Sequence, residues 1–140
     1  MANIFLDTDV CIDFLVFRKP FYDQIDQTIA HIEAIDGKCI ISESSIPNLI
    51  YVLSNTYKVD QFERRLSLWI DSCDIISSNK EVIIRALHSD FKDKEDACQY
   101  FTSLHNGVDY FITRNKKDYD PYVSSIPVYT PSEFLELYAK

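Results

Sequence analysis

A chain of 140 residues is the size of one domain, and 46% hydrophobic with 14% aromatic content supplies a real core, which excludes a disordered chain. A net charge of −8 gives no general attraction for nucleic-acid phosphates, unless several of the acids gather on a cation that reverses the local field. No apolar run has the length of a membrane span and no basic-then-apolar leader opens the chain, so the expectation is a soluble, cytoplasmic protein.

The first element is the apolar run Ile4-Phe5-Leu6, which stops at Asp7. It is too short and too apolar for a half-exposed strand and predicts a buried strand of a parallel sheet. Asp9 then predicts the N-cap of a helix from about Val10 to Phe17, with Ile12, Leu15 and Val16 inward. Arg18-Lys19-Pro20 ends it. A second helix, from Phe21 to about Asp36, carries Ile25, Ile29, Ile32 and Ile35 at helical spacing, and Gly37 stops it. Cys39 to Ser42 predicts the second strand.

Ser44 or Ser45 is the expected cap of a third helix, with Pro47 in its first turn and Ile46, Leu49, Ile50 and Leu53 on its apolar face. Asp60 opens a fourth, through Phe62, Leu66, Trp69 and Ile70. Asp74 to Ser77 is strand-like. Asn79 to about Ser89 predicts a helix with Val82, Ile83, Ala86 and Leu87 on one side. An acidic lead from Phe91 to Asp96 enters a helix with Ala97, Cys98, Phe101 and Leu104 inward, ended by Asn106-Gly107. Tyr110 to Thr113 is a buried strand, Arg114 to Pro121 a charged loop, and Pro127 to Tyr129 a last short strand. Thr130-Pro131-Ser132-Glu133 is a capping box that opens a C-terminal helix.

Strands alternating with helices predict a parallel α/β sheet covered on both faces, in a single domain over 1–140 with no repeat or linker. With only two glycines, a Gly-rich phosphate loop is excluded. Cys11, Cys39, Cys73 and Cys98 lack metal-ligand spacing and are read as reduced core residues. The three histidines, His31, His88 and His105, are scattered singly and none is assigned as a ligand.

The candidate chemistry lies in the acids. A parallel strand delivers side chains to solvent at its C-terminal edge, where Asp7 stands. Asp118 lies a few residues past the strand that ends at Thr113. Asp96 sits in the first turn of a helix, with Asp93 on the same side three residues earlier. The expectation is that Asp7, Asp96 and Asp118 converge on a divalent metal. A hard cation such as Mg²⁺ or Mn²⁺ takes carboxylate oxygens and leaves positions open to a phosphate. Each acid also has a plain structural reading: Asp7 as a turn residue, Asp93 and Asp96 as complements to a helix dipole, Asp118 as a loop acid.

The order hydrophobic-Asp7-Thr8-Asp9-Val10, then Glu95-Asp96-Ala97, then Ile112-Thr113-Arg114-Asn115-Lys116-Lys117-Asp118-Tyr119 resembles the PIN-domain nucleases. That family includes the toxins of prokaryotic toxin–antitoxin pairs, and the resemblance spans essentially the whole chain. It implies a three-layer α/β/α sandwich around a mostly parallel sheet of four to five strands. It also implies a Mg²⁺- or Mn²⁺-dependent endoribonuclease that cleaves RNA phosphodiesters. Asp7, Asp96 and Asp118 match the catalytic, metal-binding acids. Thr113 and Asn115 match supporting polar positions. A small antitoxin and a homodimer are the implied partners, with Phe14, Phe17, Phe21, Tyr22, Tyr51 and Phe62 as the source of any groove.

One departure stands out. Asn48 occupies the position where the family often has a glutamate early in the third helix. An amide keeps an oxygen acceptor and drops the charge. Asp93 or Asp9 would then be the compensating acids. Two alternatives remain at this level. One is a catalytically weakened PIN-like module that binds or scaffolds. The other is a haloacid-dehalogenase-type phosphatase using Asp7 as nucleophile, against which stand the short chain and Cys11 where a threonine is expected.

Overall fold

A computed structural model describes residues 2–122 and 125–138. The strands are β1 (Asn3–Leu6), β2 (Lys38–Ser42), β3 (Asp74–Ile76), β4 (Tyr110–Ile112) and β5 (Val128–Tyr129). The helices are α1 (Thr8–Leu15), α2 (Tyr22–Ala34), α3 (Ile46–Tyr51), α4 (Phe62–Ser72), α5 (Lys80–Leu87), α6 (Lys94–His105) and α7 (Pro131–Tyr138). A 3₁₀ turn at Glu43–Ser45 leads into α3, and a π-helical turn at Val52–Thr56 prolongs it. Among the described residues no helix is long and apolar enough to cross a membrane.

The five strands form one sheet in the order β3-β2-β1-β4-β5, and all the pairings are parallel. β1 lies at the centre, between β2 and β4. The chain winds away from β1 in both directions, so a crevice opens at the C-terminal ends of β1 and β4.

Period-two alternation along β1 splits the core into two layers. Ile4 and Leu6 join Leu15, Ile25, Ile32, Leu49, Trp69 and Phe134 on one face, beneath α1, α2, α3, α4 and α7. Phe5 joins Phe111, Ala97, Tyr100, Phe91 and Tyr119 on the other, beneath α5 and α6. The expected three-layer α/β/α sandwich is therefore the observed architecture. The apolar run of β1 has no polar face because both of its faces are covered.

Local signals held where the physics is local. The capping box is formed: the Thr130 N–H donates to Glu133 Oε1 at 3.0 Å, and the Glu133 N–H donates to Thr130 Oγ1 at 3.2 Å. Gly107 follows α6 with φ of 68°, the left-handed conformation that ends a helix most cheaply in glycine. Other expectations are corrected. Helix α1 starts earlier than expected, with Asp7 at its cap position and Asp9 inside the first turn. Ser45 stands at the N-cap position of α3 as expected, but its side chain makes no capping bond. The Ser45 hydroxyl pairs instead with Thr8, and Ser44 with Ser42. In α5 only Val82 and Ala86 are buried, while Ile83 and Leu87 face outward. In α6 Cys98, Phe101 and Leu104 are half-buried, and Tyr100, Thr102 and Ser103 take the inward positions with Ala97.

Phe111 is fully buried and stacks on Phe5 with ring centroids 4.9 Å apart. Phe111→Ala is expected to cost about 3–5 kcal/mol of folding stability, read from the shift of the urea unfolding midpoint.

Candidate active site

The sheet register builds the site. Leu6 pairs with Ile112, so the next residues, Asp7 and Thr113, are also neighbours. The Asp7 N–H donates to the Ile112 carbonyl at 3.0 Å and carries the ladder one residue past β1. Asp7 lies two residues after Phe5 and so projects toward the α6 layer. There the Thr113 hydroxyl donates to Asp7 Oδ2 at 2.7 Å. Asp7 is 3% exposed and Thr113 is fully buried.

Helix α6 brings Asp96 to the same place. Asp93 is the N-cap, and its Oδ1 accepts from the N–H groups of Glu95 at 2.9 Å and Asp96 at 3.1 Å. That capping bond fixes the first turn and with it the backbone of Asp96. The tyrosine that follows Asp118 joins the two acids. The Tyr119 ring is fully buried, with centroids 4.8 Å from Phe111 and 5.9 Å from Phe91. Its hydroxyl lies 3.1 Å from Asp96 Oδ1 and 3.3 Å from Asp7 Oδ2, and its single proton is shared between the two carboxylates.

The surrounding polar groups tie the same loops together. The Asn115 N–H donates to Thr113 Oγ1 at 3.1 Å, and its Nδ2 donates to Asp9 Oδ2 at 3.2 Å. The Thr8 hydroxyl and N–H both donate to Gln99 Oε1, at 3.0 and 3.1 Å. Asp13, fully buried in α1, holds Arg114 at 2.9 Å and Arg18 at 3.7 Å. The Arg114 guanidinium also covers the Phe21 ring at 4.3 Å, so the start of the 114–119 loop is pinned to α1.

Burial and like charge raise both acids. Burial pushes Asp7 from 3.8 up to about 6; the Thr113 hydroxyl opposes that, and the Asp9 charge adds to it. Asp96 rises to about 7, first through burial, then through the charges of Asp7 and Asp93, with Asp118 adding a smaller push. The Tyr119 phenol is driven far up by burial and by the two carboxylates, so it stays protonated and donates.

The sequence-predicted residues fall into two groups. Asp7, Asp96, Thr113 and Asn115 come together as expected. Asp9 does not cap α1; its carboxylate takes the Asn115 amide. Asp93 faces solvent, its Oδ1 takes the α6 cap bonds, and its charge reaches Asp96. Asp118 is exposed on a 3₁₀ turn, Lys116–Asp118, and reaches Asp96 through its charge. Asn48 is exposed on α3 and lines a cavity of about 340 Å³ with Thr8, Ser45, Lys94, Glu95, Cys98 and Gln99.

Tyr119 and Gln99 were missed. The signal for Tyr119 was present: an aromatic residue carrying a hydroxyl, directly after a candidate ligand. Gln99, three residues past Asp96 in α6, had a helical spacing signal of the same kind.

The donor chemistry fits a hard divalent cation. Buried Asp7 and half-buried Asp96 offer carboxylate oxygens to one place, and a cation there would favour their charged forms. Among the described residues, no group of three or more His, Cys, Asp or Glu side chains is arranged to hold a metal. The fit therefore rests on the Asp7–Asp96 pair, with Asp118 at its rim.

A family model described as PIN domain matches residues 3–117, and the chain belongs to that family. Among solved structures, VapBC2 from Rickettsia felis bound to a promoter DNA fragment matches with a TM-score of 0.71 at 14% identity, covering 91% of this chain and 97% of that one. A toxin–antitoxin complex from Klebsiella pneumoniae matches with a TM-score of 0.66 at 24% identity, covering 94% and 98%. DNA-bound VapBC from Salmonella typhimurium matches with a TM-score of 0.67 at 18% identity, covering 94% and 99%. No curated protein sequence matches the chain. At these identities the structural likeness speaks for the fold.

The raised acids make the metal-free protein pH-sensitive. Both hold protons in the folded state that the unfolded chain releases, with folded values of about 6 and about 7 against an ordinary 3.8. Their contribution is complete below 3.8 and is lost as pH rises through those folded values. The thermal midpoint in chelator is expected to fall between about pH 5 and about pH 8. An Asp7→Asn, Asp96→Asn double variant is expected to flatten that fall. An unchanged slope in the double variant would refute the assignment.

Proposed function

We propose that this protein is a Mg²⁺- or Mn²⁺-dependent endoribonuclease, the toxin of a toxin–antitoxin pair, acting in the cytoplasm. The observation that carries the reading is the convergence of Asp7 and Asp96 on one buried hydroxyl at the carboxyl edge of β1. Membership in the PIN family and likeness to toxin–antitoxin structures support the nuclease and toxin elements. The phosphatase alternative loses its basis with the family match.

Asp7, Asp96 and Asp118 would hold the cation. When bound, it supplies Lewis acidity to a phosphodiester and offsets charge on the leaving oxygen. The chain's own residues prepare the ground. Thr113 holds Asp7 by its Oδ2, and Asn115 braces Thr113 and Asp9. The adjoining cavity, where Lys94 and Glu95 stand among the hydroxyls and amides of Thr8, Ser44, Ser45, Asn48 and Gln99, accepts the nucleotide next to the cleaved bond. The cation also answers the net charge of −8, since it supplies the local attraction for phosphate that the surface lacks.

The antitoxin and the homodimer belong to the same proposal. Phe17, Tyr51 and Leu68 are exposed apolar side chains on the α1, α3 and α4 side. They suit an apolar partner segment better than water. Phe14 packs instead between Trp69 and Tyr22, and so belongs to the core margin.

One observation favours a second reading. With Asn48 neutral and Asp118 exposed, the site lacks a closed set of acids, which suits a weakened, binding-only PIN module. Calorimetry with Mn²⁺ separates the two: binding in the millimolar range or tighter supports the enzyme, and none supports the module.

Asp7→Asn, Asp96→Asn and Asp118→Asn are each expected to lower metal-dependent RNA cleavage by more than about 100-fold, since outer partners alone are worth about 10–100-fold. Circular dichroism should remain unchanged. Cleavage at the wild-type rate by all three variants would put the site elsewhere.

A further inference from the structure

The Tyr119 hydroxyl touches two of the three candidate ligands, Asp7 and Asp96. Its position is over-determined. The ring is fully buried, and Phe111 and Phe91 pack on it. The 3₁₀ turn at Lys116–Asp118 sets its backbone, with the Tyr119 N–H donating to the Lys116 carbonyl at 3.0 Å. A side chain so held cannot follow a moving carboxylate; the carboxylates must come to it.

The hydroxyl also selects which oxygens it takes. On Asp7 it shares Oδ2 with the Thr113 hydroxyl, and on Asp96 it meets Oδ1. Neither hydroxyl donates to Asp7 Oδ1 or Asp96 Oδ2. The two hydroxyls thus hold one oxygen of each acid, and the Gln99 side chain is a further hydrogen-bond partner of Asp7. Ligand carboxylates in metal sites are oriented by such outer hydrogen bonds.

We propose that Tyr119 is a positioning residue for the cation site: its phenol fixes Asp7 and Asp96 relative to each other, so that their outer oxygens face one ion. This rests on the metal-dependent reading above. The phenol restrains the site with a neutral donor and adds no further negative charge. Tyr119 acts through the two aspartates, not on the substrate.

The test is calorimetric titration of the full chain with Mn²⁺. Tyr119→Phe keeps the ring and removes only the donor, and is expected to weaken Mn²⁺ binding by about 10–100-fold. Tyr100→Phe is the matched control. Tyr100 is also buried, and its hydroxyl oxygen accepts from the Ile126 N–H at 3.1 Å, away from both acids. That variant is expected to bind Mn²⁺ as wild type does. A Tyr119→Phe protein that binds within about twofold of wild type, or tighter, overturns the proposal and leaves the metal reading standing. Wild-type protein that binds no Mn²⁺ overturns both. A second measurement needs no variant to fold for its readout. In wild-type protein labelled with 3-fluorotyrosine, Mg²⁺ is expected to shift the fluorine resonance of Tyr119 and leave that of Tyr100 in place. No shift at Tyr119 on saturation with Mg²⁺ overturns the proposal.

Discussion

The hydrogen bond from the Asp7 N–H to the Ile112 carbonyl is small, yet the site depends on it. It keeps Asp7 in the ladder for one residue after β1 has ended and before α1 has begun. The residue is thus held at the one point where the chain changes from strand to helix. Because its partner is β4, the same bond sets Thr113 beside Asp7. Everything else in the site is arranged around a carboxylate that the sheet already holds still.

That carboxylate is placed against electrostatic preference. Asp7 is buried, Asp96 is close by, and both are raised well above the usual carboxylate range. A fold tolerates this only with donors in place or a cation to come. The donors include the hydroxyls of Thr113 and Tyr119, both fully buried, and Asp7 also has a side-chain hydrogen bond with Gln99. The α6 cap at Asp93 plays a complementary part, since it fixes the backbone of Asp96 without bringing another charge inside. The Asp13–Arg114 pair does the same for the loop that carries Asn115, Asp118 and Tyr119.

Much of this was legible before any coordinates. The apolar runs at Ile4 and Tyr110 read as buried strands because both their faces are covered, and nothing else explains such unbroken apolarity. The capping box at Thr130 read correctly because its two hydrogen bonds span only three residues. Asp9 was misread for the opposite reason. As a residue type it is a good cap, but the ladder bond at Asp7 starts the helix earlier. Ser45 read correctly as the cap position of α3, but its hydroxyl goes to Thr8, 37 residues distant in the chain. The partners of Tyr119 could not be read at all, since they lie 112 and 23 residues away.

By itself the sequence determined the alternation of strand and helix, the apolar strands, the acids at their ends and the local caps. These follow from periodicity and from side chains meeting backbone within a turn, which are short-range effects. Tertiary structure decided which acids meet, that a tyrosine hydroxyl joins them, and that Asp118 and Asn48 stay at the rim. Those outcomes depend on parallel register between strands separated by about a hundred residues, as with Leu6 and Ile112, and on the packing of α6 over them. No local pattern encodes that register. It is set when both faces of the sheet bury their apolar side chains at once.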